Sequence, residues 1–120
     1  MKSDADRREP ARRPEDAVQR QLDAYNARDL TRFLAEYTDD VQAFRPPARD
    51  PVLSGKRAFG EHYEKNRFTL PSLHARLVSR IVSDNIVVDH EQITGIGEGT
   101  VAAVAVYEVV DGRIRTVWFF

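Results

Sequence analysis

The sequence predicts an α+β domain in which helices pack on a curved antiparallel sheet. Three observations predict it. Residues 14–71 carry apolar side chains at helical spacing, interrupted by prolines. From residue 72 onward the pattern turns to runs rich in Val, Ile, Thr and aromatics. Short turns join those runs, so consecutive strands pair as neighbours. Helices first and strands after define α+β rather than the alternating α/β order.

Each element has a local reason. Pro14 suits a first helical turn, and Glu15 and Asp16 complement the helix dipole there. Ala17, Val18, Leu22 and Tyr25 continue an apolar stripe, and the helix should end near Ala27 or Arg28. Asp29 can cap a second helix carrying Leu30, Phe33, Leu34 and Tyr37, which Thr38-Asp39-Asp40 breaks. Val41 to Phe44 reads as a short strand. Three prolines within residues 45–51 require an irregular loop. Ser54-Gly55 leads into a third helix with Ala58, Phe59 and Tyr63 on one face, and Pro71 closes that region. Four strands follow, at about 73–82, 86–94, 100–110 and 113–120. Asp84-Asn85 and Asp111-Gly112 are two-residue hairpin signals, and Gly95 to Gly99 forms a longer turn.

Composition narrows the classes. One hundred and twenty residues fit one domain, and 42% apolar content can build one core. There is no cysteine, so disulfides, zinc-thiolate sites and thiol nucleophiles are excluded. No apolar run is long enough for a membrane helix, and the N-terminus has no apolar signal region, so the expected location is cytoplasmic. Residues 1–13 hold five basic and three acidic side chains with little to bury, and read as a disordered charged tail. Residues 14–120 read as a single domain. That part is mildly acidic with no basic stripe, which argues against nucleic acid as partner.

Strand registers decide which residues share a face. A two-residue Asp111-Gly112 turn pairs Val110 with Arg113, Glu108 with Arg115, Tyr107 with Thr116 and Ala105 with Trp118. One face then carries Ala103, Ala105, Tyr107, Val109, Ile114, Thr116, Trp118 and Phe120. The other carries Val104, Val106, Val117 and Phe119, an apolar set that predicts a homodimer packed through the outer sheet face. Counting from Asp84-Asn85 pairs Arg80 with Asp89 and Val78 with Glu91, and sets His90 and Gln92 on the opposite, concave face. Small Ala103 and Ala105 leave volume under the helices, which Tyr25, Tyr107 and Trp118 would line. A mostly apolar cavity with a few polar groups suits a small hydrophobic molecule.

Within it His90 is the candidate base and Tyr107 the candidate oxyanion donor. Tyr25, Gln92, Ala105 and Trp118 are candidate ligand contacts, and Arg45 at the mouth could meet an anionic group. His62 is expected on the exposed side of the third helix. Asp89-His90-Glu91 does not read as a metal site, because neighbouring strand residues point to opposite faces. No cofactor is expected.

Tyr25-Asn26-Ala27-Arg28-Asp29-Leu30 with Tyr37-Thr38-Asp39-Asp40-Val41, Ser54-Gly55-Lys56-Arg57-Ala58, and Tyr107 to Ile114 ending in Trp118 carry a resemblance. They resemble the nuclear transport factor 2-like superfamily, in its SnoaL-like and ketosteroid isomerase-like branch, over residues 14–120. The resemblance implies a cone-shaped α+β barrel and, in the isomerases, an aspartate base assisted by a tyrosine and a protonated aspartate. Here the implied base position is Arg45, the second acid falls near Ala105, and the tyrosine aligns nearer Gln21. The isomerase triad is absent. The resemblance therefore implies either isomerase- or cyclase-type proton transfer by other residues, or a non-catalytic ligand-binding or association domain.

Overall fold

A computed structural model describes residues 13–120. Residues 1–12, most of the expected tail, lie outside the described residues; Arg13 is the N-cap of the first helix. Helix α1 spans Pro14–Ala27. The Asp16 carboxylate accepts a hydrogen bond from the Arg13 backbone N–H at 3.1 Å, satisfying a donor at the helix start. The buried face holds Ala17, Val18, Gln21, Leu22, Ala24 and Tyr25. Helix α2, Leu30–Ala35, is capped by Asp29, whose carboxylate accepts from the Arg32 N–H at 3.1 Å.

The sequence pattern puts Tyr37 at the end of α2. The structure instead opens strand β1, Tyr37–Phe44, at that residue, four positions before the expected Val41. The cause is tertiary: Tyr37 pairs with Ile114 of the last strand, and its ring stacks into a cluster around Phe33. Phe33 meets Tyr63, Tyr37, Phe68 and Phe59 at centroid distances of 4.8, 5.0, 5.3 and 5.9 Å. A two-residue strand, β2 at Leu53–Ser54, pairs with β1 and precedes helix α3, Lys56–Asn66.

Strands β3 (His74–Ser83), β4 (Ile86–Thr94), β5 (Thr100–Val110) and β6 (Arg113–Phe119) form the expected antiparallel meander. The full order is β2-β1-β6-β5-β4-β3. Because β1 runs parallel to β6, the sheet is mixed, and it stays open. Asp111 and Gly112 both have positive φ (52° and 79°), as the tight hairpin requires. Asn26 ties α1 to the β3 edge: its amide donates to the Ala75 carbonyl at 2.9 Å and accepts from the Ala75 N–H at 2.8 Å. That pairing covers part of an otherwise open strand edge. No helix among the described residues is long and apolar enough to cross a membrane.

Two bulges overturn the simple face counting. Between Glu108 and Val109 the β5–β6 register shifts, so Tyr107 faces Val117 and Ala105 faces Phe119. Ile114 and Val117, three residues apart, are thereby both fully buried. Trp118 therefore lies on the outer face, stacked on Phe44 at 6.2 Å, rather than in the concavity. Val117 and Phe119 move inward, leaving Val104 and Val106 of the expected outer set. A second bulge between Leu77 and Ser79 puts Leu77, not Val78, opposite Glu91 while keeping Arg80 opposite Asp89. Strand β4 itself has the reverse facing from the expected one. Val87, Asp89 and Glu91 point inward, and His90 and Gln92 lie on the outer face, where Arg76 donates to Gln92.

Gly95 closes β4 at φ +89°, and a Cβ there would collide with the Ser72 carbonyl oxygen. Replacing Gly95 with Ala should therefore cost about 2 kcal/mol or more, from both the left-handed backbone and the clash. A lowered urea midpoint checks this; an unchanged midpoint refutes it.

Candidate functional site

The helices and the inner face of β3–β6 enclose a cavity of about 370 Å³. That size suits a small ligand. Its floor is built from buried residues, among them Tyr25, Phe33, Tyr63, Ala105 and Tyr107. Exposed Arg45, Val52, Val101 and Phe120 mark its mouth. The volume exists because β5 presents Ala103 and Ala105 where larger side chains would fill the concavity.

Polar and apolar side chains share that surface. Glu91 stands on β4 between Leu77 and Ala103, 7% exposed, and lines the cavity. Among the described residues no cation lies within 4 Å of its carboxylate. Burial, reinforced by the negative charge of Asp89 and partly opposed by Arg80, pushes its pKa up to about 7. Asp89 itself is fully buried beneath α1 and is bound by Arg80, whose Nε and Nη2 donate to the two carboxylate oxygens at 2.7 and 2.9 Å. Arg80 Nη1 also donates to Gln19 Oε1 at 2.8 Å. The two acids thus have opposite situations: one is neutralised by a two-pronged ion pair, and the other faces the cavity without one.

A hydrogen-bonded chain orients Tyr107. Gln21 Oε1 accepts from the Tyr37 hydroxyl at 2.9 Å. Gln21 Nε2 donates to the Val18 carbonyl at 3.0 Å and to the Tyr107 hydroxyl oxygen at 3.3 Å. With an oxygen lone pair of Tyr107 engaged by Gln21, its O–H proton is left to donate into the cavity. Burial, then the charge of Glu91, raises the Tyr107 pKa well above its ordinary value, so the phenol stays protonated.

Of the residues singled out in the sequence, Tyr25, Arg45, Ala105 and Tyr107 come together on this cavity. His90, Gln92 and Trp118 do not; the sheet turns them away. His62, expected to be exposed, is half-buried and lines the cavity, and burial with the nearby Arg67 and Arg45 lowers its pKa. Glu91 is the residue that sequence reading missed. A signal was present: strands paired about Gly97 put Glu91 opposite Ala103 and Asp89 opposite Ala105, and directly opposed residues share a face. Placing the alanines inside requires the acids inside as well.

Helices laid on an open mixed sheet, with a cavity between them, define a cone-like α+β fold. The SnoaL-like domain model matches residues 18–117, and the chain belongs to that family. No match was found among curated proteins. Among solved structures, a cystatin-fold protein of Novosphingobium aromaticivorans superposes with a TM-score of 0.81 at 21% identity, over 89% of this chain and 97% of that one. A candidate ketosteroid isomerase from Kribbella flavida gives 0.75 at 18% identity, over 89% and 76%. A candidate polyketide cyclase from Sinorhizobium meliloti gives 0.73 at 17%, over 88% and 94%. At these identities the likeness concerns the fold.

Proposed function

We propose that the cavity binds a small, largely apolar carbonyl compound and that Glu91 acts there as a general base. The observation that carries this reading is a buried carboxylate on the cavity wall with no cation within 4 Å among the described residues; burial pushes its pKa up to about 7. A base tuned to neutral pH combines a useful ionised fraction with a strong pull on the proton. The ionised carboxylate removes a proton from carbon next to the substrate carbonyl. Negative charge then grows on the carbonyl oxygen, where the Tyr107 hydroxyl donates a hydrogen bond. Returning the proton to another carbon completes an isomerisation, and attack of the enolate carbon on a second carbonyl closes a ring. The isomerase and cyclase descriptions of two structural neighbours agree with this class of chemistry.

The three positions implied by the isomerase resemblance, Arg45, Ala105 and Gln21, all line the cavity, yet none is an acid or a tyrosine. That favours a second reading, a non-catalytic ligand-binding domain. Deuterium exchange next to the carbonyl of small cyclic ketones, followed by NMR in heavy water, separates the two. Catalysis predicts exchange by the wild type and a loss of about 100-fold or more in Glu91→Gln. Absence of exchange across such a panel, with binding retained, leaves the binding domain.

A further inference from the structure

We propose that the mouth of the cavity holds the anionic head group of an amphiphilic ligand, a carboxylate being its simplest form, whose apolar body fills the interior. This rests on the reading of the cavity as a small-molecule site and adds the charge class of the ligand.

Two arginines on separate elements line the same cavity near His62. Arg45 leaves the end of β1, and Arg67 is the C-cap residue of α3. Neither has a carboxylate within 4 Å among the described residues, whereas Arg13, Arg20, Arg57, Arg80, Arg115 and Lys56 each do. Both are held by other means. The Arg45 guanidinium lies 5.6 Å from the centroid of the Phe119 ring, and Arg67 Nη1 donates to the Asn66 carbonyl at 3.1 Å. Both lower the His62 pKa, which shows their positive charge converging on one region of the cavity wall.

The charge count across the cavity points the same way. The side chains that line it include two arginines and a single carboxylate, Glu91, which is largely protonated below neutrality. The half-buried His62 stays mostly neutral near pH 7. The lining side chains therefore carry an excess of positive charge. Guanidinium groups present forked donors that match a planar carboxylate, and partial exclusion of water strengthens the attraction. Leu22, Phe33, Ile93 and Ala105 supply apolar wall in the same cavity, so an apolar body with one anionic end is the ligand that satisfies both parts of the site.

The test compares 2-naphthoate with its neutral counterpart 2-naphthamide by calorimetric titration at pH 6, where Glu91 is mostly protonated. The wild type is expected to bind the carboxylate at least tenfold more tightly than the amide. In the Arg45→Gln, Arg67→Gln double variant that ratio should fall to near one, and it should also shrink with added salt in the wild type. A far-UV spectrum confirms that the double variant is folded. Equal binding of both probes by the wild type overturns the head-group assignment while leaving the cavity reading intact. A preference that survives the double substitution overturns the assignment to these two arginines. Binding of neither probe overturns the cavity reading and the head-group assignment with it.

Discussion

Glu91→Gln is expected to be more stable than the wild type at pH 8 and no more stable at pH 4. The wild-type carboxyl has a pKa near 7 in the folded chain against an ordinary value of 4.5. Between those two values the unfolded chain has released its proton while the folded chain still holds it. The native state therefore binds more protons, and stability falls as pH rises through that window. The displacement corresponds to about 3 kcal/mol, fully expressed above pH 7. Glutamine cannot ionise and keeps nearly the same shape, so the variant lacks this decline. Urea titrations of both proteins at several pH values check the outcome. The two curves should separate between about pH 5 and pH 8, and parallel curves would remove the claim that Glu91 is held against ionisation. The same substitution is expected to slow proton exchange with ketones by about 100-fold or more. A residue whose removal stabilises the fold while slowing the chemistry is retained for function rather than for folding.

How far the sequence could be read depended on which interactions set each feature. Local chemistry marked its own elements well: Pro14 starts α1, Asp29 caps α2, and Asp111-Gly112 turns the last hairpin at the expected residues. The Asn26 and Asp29 of the family-like opening prove to be structural, one pairing with the β3 edge and the other capping a helix. Long-range pairing was not legible. Nothing local says that Tyr37 leaves its helix to join β6, or that β1 runs parallel to it. The site was half legible. Tyr25, Tyr107, Ala105 and Arg45 could be placed on a cavity by their types, but His90, Gln92 and Trp118 required face parity. Parity survives only where no bulge intervenes, and one residue of slip exchanges the two faces. In β4 the error had another source. Polarity along Val87, Asp89, Glu91 suggests a solvent face, whereas the ion pair with Arg80 makes Asp89 compatible with full burial.

That ion pair carries the second large effect. Replacing Asp89 with Asn should destabilise the fold by about 3–5 kcal/mol, because Arg80 would keep its charge under α1 with only neutral partners. The consequence for Glu91 runs in the opposite direction to a simple loss of structure. Asp89 is one cause of the raised Glu91 pKa, and Arg80 is the cation that opposes it. Removing Asp89 deletes a like charge and also frees the arginine's field from its present partner, so both changes favour ionised Glu91. Its pKa should fall toward the ordinary range, and any activity that depends on the ionised base should persist to lower pH. A purely structural role for Asp89 predicts lower stability with an unmoved pH profile. Carbon-13 NMR titration of the Glu91 carboxyl in the two proteins distinguishes these outcomes, and an unchanged midpoint would show that the pair leaves the base untouched. Glu91 and Asp89 should also couple energetically: in a double-mutant cycle with Glu91→Gln, the two changes should fail to add, because the penalty on ionised Glu91 is partly set by Asp89.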